Sequence, residues 1–133
     1  MRLPDTDLLL TTIVRDALPG SVTVATNLPP SLDGHLPYVL LRGISGGTSR
    51  GPRAAAVVVV DVQAFATTRQ AARELAEDTA LAIHGAREQA TVTEYGYIGS
   101  AVDVSLPSEL PDPERGVFRF QTSLSLILRP TEP

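Results

Sequence analysis

AAAVVVVDVQAFATTRQAARELAEDTALAIHGA, residues Ala54–Ala86, changes its hydrophobic period halfway. Up to Ala66 the period is two, that of a strand. Val58, Val60, Val62 and Ala64 share one face; Val57, Val59, Asp61 and Gln63 share the other. The valine run implies cover on both faces over the first half. Asp61 and Gln63 imply solvent or a partner over the second. From Thr67 the period becomes helical. Ala72, Leu75, Ala76, Thr79 and Ile83 form one stripe, and Arg73, Glu74, Glu77 and Asp78 lie opposite. Thr67 or Thr68 caps the start. The small alanines of the stripe let such a helix lie close to a sheet.

Working outward, residues 5–18 (DTDLLLTTIVRDAL) read as a helix with Leu9, Leu10, Ile13, Val14 and Ala17 on one side. Asp5 and Asp7 suit its positive end, and Pro19-Gly20 stops it. Ser21–Ala25 reads as a short strand, Asn27–Pro37 as a proline-rich loop and Tyr38–Ile44 as a strand. Ser45–Arg53 (SGGTSRGPR) reads as an exposed hairpin tip. Val92–Ile98 and Ala101–Leu106 are strand-like, broken near Gly96 and Gly99. In the second of these, Val102, Val104 and Leu106 alternate with Ala101, Asp103 and Ser105, the pattern of a half-buried strand. Pro107–Gly116 reads as a polar loop. Val117–Arg129 is a last strand, with Phe118, Phe120, Leu124, Leu126 and Leu128 facing one way and Arg119, Gln121, Ser123, Ser125 and Arg129 the other. The expected fold is α+β in the order α-β-β-β-α-β-β: a mainly antiparallel sheet with two helices packed on one face.

The chain has 133 residues, which fits a single domain spanning residues 1–133, with no repeats. With no cysteine, it has neither disulfides, thiolate metal sites nor a cysteine nucleophile. Pro4, Asp5 and Asp7 interrupt any signal-peptide core. The longest apolar run, Ala54–Val60, falls far short of the ~20 residues of a membrane helix, so no membrane partner is expected. A net charge of −4 disfavours nonspecific nucleic-acid binding, which rests on neutralising phosphates. Every basic side chain is arginine. A GC-rich genome accounts for that, as does selection for bidentate pairing at interfaces.

The chemical motifs do not survive their context. Gly43-Ile44-Ser45-Gly46-Gly47 has the spacing of a nucleophile elbow, but that motif needs a helix after the serine. Here Thr48, Ser49, Arg50, Gly51 and Pro52 follow. The same glycines lack the lysine and helix of a phosphate loop. His35 and His84 show no metal-binding spacing. His35 reads as surface, and His84 as a partner for the end of its own helix. Glu109, Asp112 and Glu114 are too loosely spaced for a calcium loop and read as solvated surface beside Arg115. Tyr95 and Tyr97 read as a packed or interface pair on one strand face. No catalytic residue, metal or cofactor is expected.

What remains points to assembly. The long strands 54–66 and 117–129 could present edges to another chain. The openings PDTDLLLTTIVRDALPGSVTVATNLP (Pro4–Pro29) and LPYVLLRGISGG (Leu36–Gly47), with the strand-to-helix passage Ala54–Ala86, resemble the small tail terminator proteins of long-tailed bacteriophages, also called tail completion or head–tail joining proteins. The resemblance follows element order over nearly the whole chain and is closest over Pro4–Pro29 and Asp61–Ala86. It implies a virion protein, assembled in the host cytoplasm, that forms a hexameric ring on the head-proximal end of the tail tube. Its partners would be further copies of itself, the tail-tube protein and a head-completion or connector protein. The expected contact residues are Arg50 and Arg53 in the tip, Asp61 and Gln63, Glu114 and Arg115 in the polar loop, and Arg119 and Gln121. Three other readings stay open at this point: a neighbouring connector or tube component, a small ligand-binding module, and a hydrolase using Ser45.

Overall fold

The computed structural model describes residues 2–50 and 54–131. Its elements are α1 (Thr6–Ala17), β1 (Thr23–Ala25), β2 (Tyr38–Arg50), β3 (Ala55–Ala66), α2 (Arg69–Glu88), β4 (Val92–Thr93), β5 (Gly96–Leu110) and β6 (Phe118–Arg129). The strands form one six-stranded sheet in the order β1-β2-β3-β6-β5-β4. β1 pairs parallel with β2; every other pair is antiparallel. The α+β reading therefore holds, with β1 inside the expected Ser21–Ala25 strand and β4 as a short addition at the other edge.

Both helices begin where a side chain can accept a free backbone N–H. Asp5 accepts from Leu8 N at 3.1 Å, and Thr68 from Ala71 N at 3.1 Å. Both pack on the same sheet face. Leu9, Leu10, Ile13 and Val14 of α1 and Ala72, Leu75, Ala76, Thr79 and Ile83 of α2 meet Val58, Val60, Val62 and Ala64 of β3 and Phe120, Leu124, Leu126 and Leu128 of β6. Arg69 adds a tie at the start of α2, lying 5.4 Å over the Phe120 ring and 3.1 Å from the Glu109 carboxylate of β5.

The opposite sheet face has a smaller core of its own. Leu32, Tyr38, Leu40, Phe65 and Val117 cluster at one end, with Leu36 packed against them. The proline-rich loop thus covers the end of β3 that Asp61 and Gln63 had marked as open to solvent or a partner. Phe65 is fully buried there, and Asp61 is only 9% exposed.

Three element boundaries differ from the sequence reading. β2 continues to Arg50, with Thr48, Ser49 and Arg50 opposite Val57, Ala56 and Ala55. Thr48–Arg50 of the expected tip are therefore strand, and residues 51–53, Arg53 among them, lie outside the described residues. A register shift between Ile44 and Thr48 lets the strand resume. Gly47, at φ +72°, fits that shift, because a Cβ there would stand 2.5 Å from the Val57 carbonyl oxygen. On the other side of the sheet, β4 and β5 meet in a tight hairpin through Glu94 and Tyr95, and β5 then runs unbroken past Gly99 to Leu110. The polar loop therefore starts after Leu110. Tyr95 sits in the turn and Tyr97 on the strand, so the two do not form a pair on one strand face.

Candidate assembly surface

Four of the expected contact residues come together on the sheet face away from the helices. Asp61 stands opposite Ser123, and Gln63 opposite Gln121. Gln63 Nε2 donates to one Asp61 carboxylate oxygen at 2.9 Å, and Gln121 Nε2 donates to the other. Each oxygen of a nearly buried carboxylate is thereby satisfied, as burial requires. Arg42, which the sequence reading passed over, lies directly across from Asp61 on β2 and is exposed. Arg119 follows on the same face of β6. Its Nη2 donates to the Pro111 carbonyl at 3.0 Å, while its Nε is buried with no hydrogen-bond partner among the described residues.

The other expected residues are scattered. Glu114 accepts from Leu32 N at 3.0 Å and from Ser31 Oγ at 3.4 Å. Its carboxylate joins the two loops that cover the smaller core. Arg115 beside it is exposed. Arg50 ends β2, remote in sequence from this group, and its backbone pairs with Ala55. His84 does not serve its helix end. Its Nε2 lies 2.8 Å from the Asp103 carboxylate, which joins α2 to β5. Position 84 falls a full turn before the end of α2, on the side turned toward β5, so the strand supplies a nearer partner than the last carbonyls. Ser45 lies within β2, and the chain continues as strand after it.

The largest departure from expectation is on β5. Val102, Val104 and Leu106 read as the buried side of an alternating strand, yet they are 59%, 58% and 73% exposed. Ala101 packs against the main core instead, and Asp103 turns to α2. Register shifts against β6 between Ile98 and Ser100, Asp103 and Ser105, and Ser105 and Ser108 break the expected two-residue period. They turn Leu106 toward α2, where it lines a shallow recess with Leu81, which is itself 57% exposed, and with His84 and Asp103. Beyond Tyr97, the outer side of β5 has no strand beside it among the described residues, since β4 pairs only with Gly96 and Tyr97. β2 is similar: β1 pairs with Tyr38, Val39 and Leu40 only. Past β1 lies an open groove of about 480 Å³, lined by Asp5, Asp7, Asn27, Arg42, Gly43 and Val58 among others.

Tyr38 supplies a pH dependence. Burial raises its phenol above the ordinary 10.0, and its hydroxyl donates to the Asn27 carbonyl. A raised native-state value means stability that is complete below about pH 10 and lost as pH climbs through the native value. Denaturant melts at stepped alkaline pH should therefore fall more steeply for the wild type than for Tyr38→Phe. Below that range the variant should lose about 0.5–1.5 kcal/mol with its hydrogen bond. Tyr95, raised first by the neighbouring Glu94 carboxylate, keeps a residual slope in both proteins. Equal slopes would remove Tyr38 as the titrating group.

No protein-family model matches the sequence, and no curated protein matches it. Among solved structures, the chain is similar to a chain in the virion of a native gene transfer agent (GTA) particle. Identity is 16% and the TM-score 0.47, covering 92% of this chain and 86% of that one. That overlap is too loose to establish a shared fold or a shared role.

Proposed function

We propose that this protein is a structural part of a phage-like virion, and that it closes the head-proximal end of a tail tube as a ring. The observation that carries the reading is the three exposed apolar side chains Val102, Val104 and Leu106 on a strand whose outer edge is open among the described residues. An apolar strand edge left bare in a single copy is a pairing site for another chain. The resemblance over Pro4–Pro29 and Asp61–Ala86 supplies the identity of the assembly. The chemistry asked of the chain is geometric, not catalytic. Copies meet through two different surfaces, and the ring closes if the rotation between them closes. One ring face then seats on the last tube ring, and the other offers no site for a further tube subunit. The exposed Arg115 and Arg42, with Gln63 and Gln121, whose amides hold the nearly buried Asp61, are the proposed polar contacts to neighbours or tube.

The test is tube growth. Purified tail-tube protein polymerising with this chain present should give tubes that stop lengthening, with the added chain at one end only in electron micrographs. Tubes that lengthen equally with and without it would sink the capping role. Growth of long tubes from this chain alone would make it a tube subunit instead.

A further inference from the structure

Two recesses lie along β5. In the first, Leu81, Leu106 and Pro107 form apolar walls beside Glu77, His84 and Asp103. The second is lined by Leu110, Pro111 and Phe118 with Glu109 and Asp112. Glu109 is bridged to Arg69 of α2, and Phe118 packs against the main core, so this recess also lies on the helical side of the sheet. No arginine lines either recess; the exposed Arg73, one turn before Glu77 on α2, stays outside both. His84 takes one oxygen of Asp103, and Arg69 one of Glu109. Glu77 and Asp112 are exposed and form no ion pair among the described residues. Leu106 and Leu110, one in each recess, are four residues apart, roughly 13 Å of extended chain. The edge beside them is open: beyond Tyr97 no strand pairs with the outer side of β5 among the described residues.

Resting on the reading of β5 as an assembly edge, we infer that this edge takes an extended segment of a different protein, with two basic side chains four residues apart. The segment adds as a strand, and its backbone meets the N–H and C=O groups that a sheet edge leaves unpaired. Lysine and arginine suit both recesses, because each has an apolar stem for the leucine and proline walls and a cationic head for the carboxylates. Arg69 offsets Glu109 at the second recess, which leaves Asp112 to hold the cation there. The spacing must be even, since side chains alternate along a strand and only even steps return to the same face. This chain has no such segment to offer a second copy. Its basic pairs four residues apart are Arg69 with Arg73, inside α2, and Arg115 with Arg119, and Arg119 is already paired between β3 and β5.

Peptide titrations of the 15N-labelled full chain, followed by amide shifts, test this. The probe is the end-capped peptide TSVKTSVKVST, whose two lysines are four residues apart. One control replaces both lysines with glutamate. The other, TSVKTVKSVST, keeps the composition but sets the lysines three apart, on opposite strand faces. The probe should shift amides within Val102–Leu110 and at Glu77 and Leu81, and bind about tenfold more tightly than either control. Its affinity should fall as salt rises. The variant Glu77→Gln with Asp112→Asn, both exposed positions, should bind the lysine probe and the glutamate control alike. Equal binding of all three peptides by the wild type overturns the inference. So do shifts confined to other strands, or none on β5 up to the probe's solubility limit. Shifts on β5 that depend on protein concentration without peptide would make a second copy the occupant, and overturn it too. A chain that stops tube growth yet ignores the probe loses this inference and keeps the capping role. One that takes the probe on β5 yet leaves tubes growing loses the capping role alone.

Discussion

Phe65→Ala should lower unfolding free energy by about 3–5 kcal/mol, the range for removing a large aromatic from a packed site. Phe65 is fully buried on the sheet face away from the helices, and its ring meets Tyr38 edge-on with centroids 6.1 Å apart and planes at 73°. Such a pair adds about 0.5–1.5 kcal/mol beyond the area it buries. Few residues share this small core, so the void cannot be refilled from within it. Denaturant melts followed by tyrosine fluorescence would read the loss, and the Tyr38 signal should also shift in the folded state. A loss under about 1 kcal/mol would mean that the cluster closes over the gap and is not an independent source of stability.

Gly96→Ala and Gly99→Ala should differ sharply, although both glycines look like strand breaks in the sequence. Gly96 sits at φ +130°, and a Cβ there would lie 2.5 Å from the Arg129 carbonyl oxygen and 3.0 Å from Pro4. Backbone strain alone costs about 1–3 kcal/mol for a side chain in such a region. The clash with a backbone atom adds to it, because β6 cannot withdraw without giving up its ladder. At Gly99 the nearest atom is Arg129 Nε at 3.0 Å, on a flexible side chain that can move aside. Its cost should stay near 0.5 kcal/mol or below, as for ordinary surface changes. Thermal melts of the two variants decide the point: equal losses would show that Gly96 is not held by its backbone conformation.

The layering was legible because it rests on periodicity. The stripe from Ala72 to Ile83 and the row Val58, Val60, Val62 and Ala64 are both buried against each other as their spacing implied. The cap at Thr68 was legible for a local reason, a hydroxyl placed three residues before the N–H it accepts. β5 was misread because its period is interrupted. The register shifts that expose Val102, Val104 and Leu106 depend on pairing with β6; Gly99 and Pro107 fall within two of them, as bulge-marking residues do, but no residue type announces the one between Asp103 and Ser105. Asp61 was placed on the right face, but its burial was not foreseen. The amides that satisfy it come from Gln63 on its own strand and from Gln121, sixty residues away. The tie between Glu114 and Leu32 N was invisible for the same reason: it joins two loops that only the folded sheet brings together.

That tie also bears on how the molecule breathes. The loops over Phe65 are fastened to each other by one carboxylate and rest on a handful of side chains, while the middle of β3 and β6 lies under α2. The cover can lift at one end of the sheet while the helical layer stays closed, because little of its area is shared with that layer. Amide hydrogens near Leu32 and Val117 should then exchange with solvent through a local opening, well ahead of those at Val60 and Leu124, which wait for the whole chain to unfold.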